Sequence, residues 1–75
     1  MTDETIGNVF TYHKPFGNQA ERYEALRAAG KVLAMEIQRA CPESREKALA
    51  LTYTQETIMW ANASIACNEF EGPTP

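Results

Sequence analysis

The sequence predicts an all-α fold: an antiparallel two-helix hairpin with a short N-terminal arm, assembling as a homo-oligomeric helical bundle. Two matched seams predict the hairpin. Tyr23, Leu26, Gly30, Leu33, Ile37 and Ala40 recur at alternating spacings of three and four, and so do Ala48, Leu51, Gln55, Ile58, Asn62 and Ile65. That spacing lays a stripe along one side of a helix. Cys41-Pro42-Glu43-Ser44 separates the two runs, and a short connection between two helices makes them antiparallel neighbours. A surplus of apolar surface predicts the assembly. Ala25, Ala28, Val32 and Met35 form a second stripe across the first helix, while Tyr53, Trp60 and Cys67 recur every seven residues off the line of Leu51, Ile58 and Ile65. A lone hairpin buries only one seam, so the second stripes ask for partners, and identical copies are the simplest source.

Size and composition agree. The chain has 75 residues, enough for one domain and too few for a comfortable core of its own. A formal net charge of −3 gives no overall attraction to DNA or to anionic lipid. No apolar run approaches a membrane span, and no charged-then-apolar segment opens the chain. No membrane partner is expected, and the chain is expected in the cytosol. In a hairpin Cys41 lies at the turn and Cys67 near the far end of the second helix, on the order of 39 Å apart along about 26 helical residues. A disulfide needs Cα atoms within about 7 Å. Both cysteines therefore read as packing residues or free thiols, and neither sits in a metal-ligand spacing.

Taken in order, residues 1–7 are polar and aperiodic and read as a flexible tail. The hairpin domain with its arm is expected over residues 8–68, and residues 69–75, polar and Pro-rich, as a second flexible tail. Asn8 to Phe16 holds Val9, Phe10, Tyr12, His13 and Phe16, and Pro15 excludes a helix interior. This arm either packs as a lid on the open seam or presents a stacking surface to a ligand. Gly17-Asn18 ends it. Asn18 reads as an N-cap, with Glu21 completing a capping-box pair, and the first helix is expected from Gln19 to Ala40. Gly30 in its middle costs about 1 kcal/mol relative to Ala, which has a reason if another backbone or a flat ligand approaches there. Pro42 closes the helix, Ser44 caps the next, and the second helix is expected from Arg45 to Asn68. Gln55 and Asn62 interrupt its seam. Buried amides demand partners; register control leads as the account, with Asn62 facing a ligand as the alternative.

Every Lys and Arg lies at or before Lys47. Arg27 and Lys31 are one helical turn apart and point the same way, and the aromatic arm Phe10-Thr11-Tyr12-His13-Lys14 precedes them. A guanidinium pairs with phosphate through two parallel hydrogen bonds, and aromatic rings stack on bases, so the set suits a nucleotide-like anion. By spacing alone, an ordinary solvated face with Glu24 and Glu36 as ion-pair partners is favoured. Catalysis is not expected. His13 is the only histidine, and no triad, metal set or Gly-rich phosphate loop accompanies it. No catalytic residue, metal or cofactor is assigned. Two helices enclose no pocket, so any pocket should lie between copies.

Four stretches carry a resemblance: Phe10-Thr11-Tyr12-His13-Lys14-Pro15, Glu21-Arg22-Tyr23-Glu24-Ala25-Leu26-Arg27, Cys41-Pro42-Glu43-Ser44-Arg45-Glu46-Lys47 and Met59-Trp60-Ala61-Asn62-Ala63-Ser64-Ile65-Ala66. Over roughly residues 8–68 the chain resembles small phage proteins that share a helical-hairpin domain and antagonise the CBASS and Thoeris immune systems. The resemblance implies a sponge, which binds cyclic oligonucleotide messengers or cyclic ADP-ribose relatives without cleaving them. It also implies a homo-oligomer, commonly a hexamer, with cyclic dinucleotide pockets between copies. A Tyr of the arm and a basic residue of the first long helix hold the dinucleotide in that family, and the matching positions here are Tyr12 and Arg27. Members usually carry Lys where this chain has Arg27, which keeps the charge. Some members bind cyclic trinucleotides through an Arg in the last helix; no Arg follows Arg45 here, so that site is not carried over.

The expectation is thus a cytosolic, non-enzymatic sponge that sequesters cyclic di- or oligonucleotide signals, dinucleotides first, and blocks CBASS effector activation. Its ligand-binding residues are Tyr12 and Arg27, with Lys31 adding attraction and Phe10 and His13 shaping the arm. The competing reading is a helical adaptor that oligomerises and binds no small ligand.

Overall fold

The computed structural model describes residues 2–70. They form three helices, α1 (Asp3–Val9), α2 (Gln19–Ala40) and α3 (Arg45–Asn68), with no strand among the described residues. The hairpin is α2 packed on α3, and both long helices run over the expected residues. The body measures 49 × 28 × 16 Å. Its thinnest dimension is little more than the width of one helix with its side chains, so there is a single contact layer.

That layer is organised by the absence of a side chain. Gly30 is buried, and a Cβ built there would lie 2.5 Å from Ile58 Cγ1 and 2.9 Å from Cδ1. Ile58 occupies the space that any other residue at position 30 would fill. The close approach at Gly30 is made not by the expected backbone or flat ligand but by the Ile58 side chain of the opposite helix.

Polar latches hold the two ends of the hairpin. At the turn, the Ser44 hydroxyl accepts a hydrogen bond from the Lys47 N–H at 3.1 Å, the cap that the sequence indicates. The buried Lys47 ammonium donates to the Gln38 carbonyl at 3.0 Å and to Glu43 Oε1 at 2.6 Å. It thereby satisfies a carbonyl that the end of α2 leaves without an intrahelical donor. At the open end, Arg22 of α2 forms a two-pronged ion pair with Glu69, just beyond α3. Buried Gln19 donates to Glu69 at 3.1 Å and accepts from the Phe16 N–H. The bonds from Arg22 and then Gln19 pull the Glu69 carboxyl down to about 2, and the same pairing raises the Arg22 guanidinium above its ordinary value.

Three expectations are corrected. Residues 3–9, read as part of a loose tail and the first residues of the arm, are helical, so the boundary drawn at residue 8 falls inside α1. Thr2 caps this helix through the Thr5 N–H at 3.1 Å, and Asp3 and Glu4 occupy its first turn, where carboxylates suit the helix dipole. A seven-residue helix is marginal alone; Asn8 secures it by donating to the Cys67 carbonyl at 3.0 Å, 59 residues away. The capping box at Asn18 does not form. Asn18 makes no side-chain cap, and its side-chain oxygen accepts from Arg22 Nε instead. Gly17, at φ +57, supplies the left-handed turn into α2. Finally, Glu69, assigned to the C-terminal tail, is a latch residue; the rest of that tail from residue 71 lies outside the described residues. Cys41 and Cys67 are both free thiols.

No apolar side chain is buried among the described residues. The second stripes lie open, with Met35 62% and Trp60 66% exposed, and Leu33 of the main seam is also exposed. No described helix is long and apolar enough to cross a membrane.

Two outcomes are expected. Gly30→Ala lowers the melting temperature, because overpacking against Ile58 costs about 1–3 kcal/mol and outweighs the roughly 1 kcal/mol of helix propensity gained. In an Ile58→Ala background the sign reverses and Gly30→Ala stabilises by about 1 kcal/mol; paired thermal melts check this. The Glu69 latch contributes fully above the ordinary carboxylate value of 4.5 and is lost as pH falls through about 2, because the folded carboxyl holds its proton less tightly than the unfolded one. Melting followed against pH should show Glu69→Gln less stable than the parent at neutral pH, with the gap closing toward pH 2.

Candidate functional site

The groove between α2 and α3 holds two depressions that share one wall, Arg27. The first has a volume of about 340 Å³ and is lined by Arg27, Gly30, Lys31, Ala34, Leu51, Thr54, Gln55 and Ile58. Gly30 and Ile58, in close contact, both line it. Thr54 lies buried in its wall and is satisfied within its own helix, donating to the Ala50 carbonyl at 2.8 Å. The second has about 300 Å³ and is lined by His13, Tyr23, Arg27, Asn62, Ala63 and Ala66. Small side chains at Ala63 and Ala66 keep it open.

Arg27 stands where these spaces meet. Its side chain is largely exposed, and its ion pair with Glu24 is long, at 3.3 Å, and within one helix. Such a pair holds a guanidinium weakly, leaving it available to an anion. Lys31, one turn on, adds an ammonium to the first depression. The cationic pair expected from the sequence is therefore gathered at one groove.

The arm divides. His13 lines the second depression, and its Nε2 bonds the Asn8 carbonyl at 2.7 Å, so the ring donates from that nitrogen and ties the arm back to α1. Phe10 and Tyr12 are 85% and 83% exposed. Neither lines the groove in the single chain. Of the five expected site residues, Arg27, Lys31 and His13 come together, while Phe10 and Tyr12 stand on the exposed part of the arm before His13.

Tyr23 and Asn62 were not assigned to the site from the sequence. Tyr23 sits one turn before Arg27, a spacing that places it on the same side, but its place in the apolar seam made packing the simpler reading. Gln55 and Asn62 were expected as buried seam amides. Gln55 is exposed and lines the first depression. Asn62 is half-buried, and its Oδ1 is buried with no hydrogen-bond partner.

The family model described as the Acb2/Tad1 hairpin domain matches residues 2–66. Neither a curated protein nor a solved structure matches the chain. The match runs through all of α1, the arm, α2 and most of α3, and so contains every residue of the two depressions. The chain thus belongs to the Acb2/Tad1 hairpin-domain family, the anti-CBASS and anti-Thoeris sponges.

Proposed function

We propose that this chain is an anti-defence sponge that binds cyclic oligonucleotide signals, cyclic dinucleotides foremost, and withholds them from CBASS effectors without cleaving them. The observation that carries the reading is Arg27, an exposed and weakly paired guanidinium at the junction of two depressions. A cyclic dinucleotide joins two flat bases through a ring bearing two phosphates. Arg27 meets a phosphate in two-pronged fashion, and Lys31 adds longer-range attraction. The two depressions suit the bases. Tyr12 stacks on a base or closes over the ring, and Phe10 and His13 shape the arm that brings it there.

The binding unit is a homo-oligomer, a hexamer in keeping with the resemblance, working in the cytosol of the host cell. Support comes from the apolar surface: with no apolar side chain buried among the described residues, the hairpin gains most by covering its second stripes with other copies. Copies packed around the groove would also roof the shallow depressions, and would set the exposed Tyr12 of one copy against the groove of another. An adaptor without a small ligand would cover the same stripes, so the ligand experiment separates the two readings. A ligand that binds only the folded state raises its stability by about 2.7 kcal/mol at a hundredfold excess over its dissociation constant; an adaptor gains nothing.

Thermal melting with cyclic dinucleotides should therefore shift the transition upward, and the ligand recovered afterwards should be chemically unchanged. Charge-assisted bonds and base stacking each contribute about 1–3 kcal/mol. Arg27→Ala and Tyr12→Ala should each weaken binding by roughly ten- to a hundredfold with the assembly intact. Arg39→Ala, whose guanidinium pairs with Glu36 away from the groove, should bind as the parent does. Wild-type binding by both site variants, or a cleaved ligand, contradicts the reading. Light scattering should give a multimer at micromolar concentration. Met35→Glu should dissociate it, since an unpaired carboxylate in an apolar contact is costly.

A further inference from the structure

We propose that Asn62 reads a base of the bound cyclic nucleotide and selects adenine. This rests on the sponge reading and extends it to a residue that reading does not use. Oδ1 of Asn62 is the one buried side-chain polar atom without a hydrogen-bond partner among the described residues. Other buried polar groups are engaged: Gln19 with Glu69 and the Phe16 N–H, Lys47 with Gln38 and Glu43, Thr54 with Ala50. An unpaired buried acceptor is unfavourable, and a leucine of similar bulk would remove the penalty. The amide therefore stands at position 62 against the stability of the hairpin.

Its surroundings supply a reason. Asn62 lines the second depression with Tyr23, His13 and Arg27. No hydrogen bond anchors its oxygen, so rotating the amide toward the opening sacrifices none at that atom. A primary amide places a donor beside an acceptor. Adenine presents the complement on one edge, the N6 amine beside the N7 acceptor, and Asn pairs with it through two bonds. Bound this way, the N6 amine satisfies Oδ1 while Nδ2 donates to N7. The same edge of guanine offers two acceptors, N7 and O6, and would leave Oδ1 as unsatisfied as it is without ligand. Tyr23 gives the base a flat neighbour, and Arg27, in the same lining, is placed to meet a phosphate. Register control through Asn62 requires an amide-to-protein bond; none reaches its oxygen among the described residues, and a bond from another copy is the competing account that the test below separates.

The test measures binding of cyclic di-AMP, mixed cyclic GMP–AMP and cyclic di-GMP to the full-length chain by calorimetry, with melting and light scattering on each variant. Two-pronged base contacts discriminate by about ten- to a hundredfold, so the wild type should bind the all-adenine ligand that much more tightly than the all-guanine one, with the mixed ligand between. Asn62→Leu should abolish that preference, raise the melting temperature and leave the oligomeric mass unchanged. Asn62→Ala, which adds no bulk, should abolish the preference too. Equal binding of the three ligands by the wild type overturns the proposal, as does a preference that survives in both variants. A changed mass in both assigns Asn62 to register and overturns it as well. Arg27-dependent binding without adenine preference sinks this inference alone; binding of none of the three ligands sinks the sponge reading and this inference with it.

Discussion

The contact between Gly30 and Ile58 fixes the distance between the two long helices, and most of the groove's geometry follows from that distance. Where a side chain at position 30 would hold the helices apart, its absence lets Ile58 seat against the α2 backbone. Arg27 and Lys31 flank this contact on the same helix, so the depth of the groove beside the cations depends on the same glycine. A residue that lowers helix propensity thus sets both the packing and the shape of the candidate site.

With so thin an interface, polar bonds take a larger share of holding the fold than in a domain with a packed core. Lys47 fastens the turn, and Arg22, Gln19 and Glu69 fasten the open end. The second cluster also anchors the root of the arm, because Gln19 accepts from the Phe16 N–H. Further along, Asn8 bonds the end of α3 and His13 bonds Asn8. The arm is pinned before and after Phe10 and Tyr12, and those two aromatics project from the part that remains.

The hairpin was legible because its seams are periodic over many turns and both long helices are bounded by Pro, Gly or a capping Ser. The bounds at Ala40 and Arg45 follow from Pro42 and Ser44, while the start at Gln19 was read from an Asn18 cap that does not form. Helix α1 was not legible: seven residues carry too little periodicity, and the bond that secures it comes from Cys67, far away in sequence. Asn18 misled because Arg22, one turn on, competes for the oxygen that a capping box would use. At the candidate site, helical spacing placed Arg27 and Lys31 on one side of α2 but by itself favoured a solvated face; the resemblance singled out Arg27. Tyr23 and Asn62 were not assigned, since pattern alone cannot tell a seam residue that meets another helix from one that borders a depression. The separation of Tyr12 from the groove was also beyond reach, because it depends on where a non-helical segment is tied.

The bond between Asn8 and Cys67 has a consequence for the order in which the molecule takes shape during translation. The arm is made before either long helix, yet its tether lies at the end of α3 and the Glu69 latch just beyond, so both are made after α2 and nearly all of α3. Through most of synthesis the aromatic segment has nothing to lean on. α2 can nucleate as soon as it emerges, the hairpin can zip from the Lys47 turn as α3 follows, and the arm docks last. The aromatic arm is thus made before both long helices and is the last to find its place.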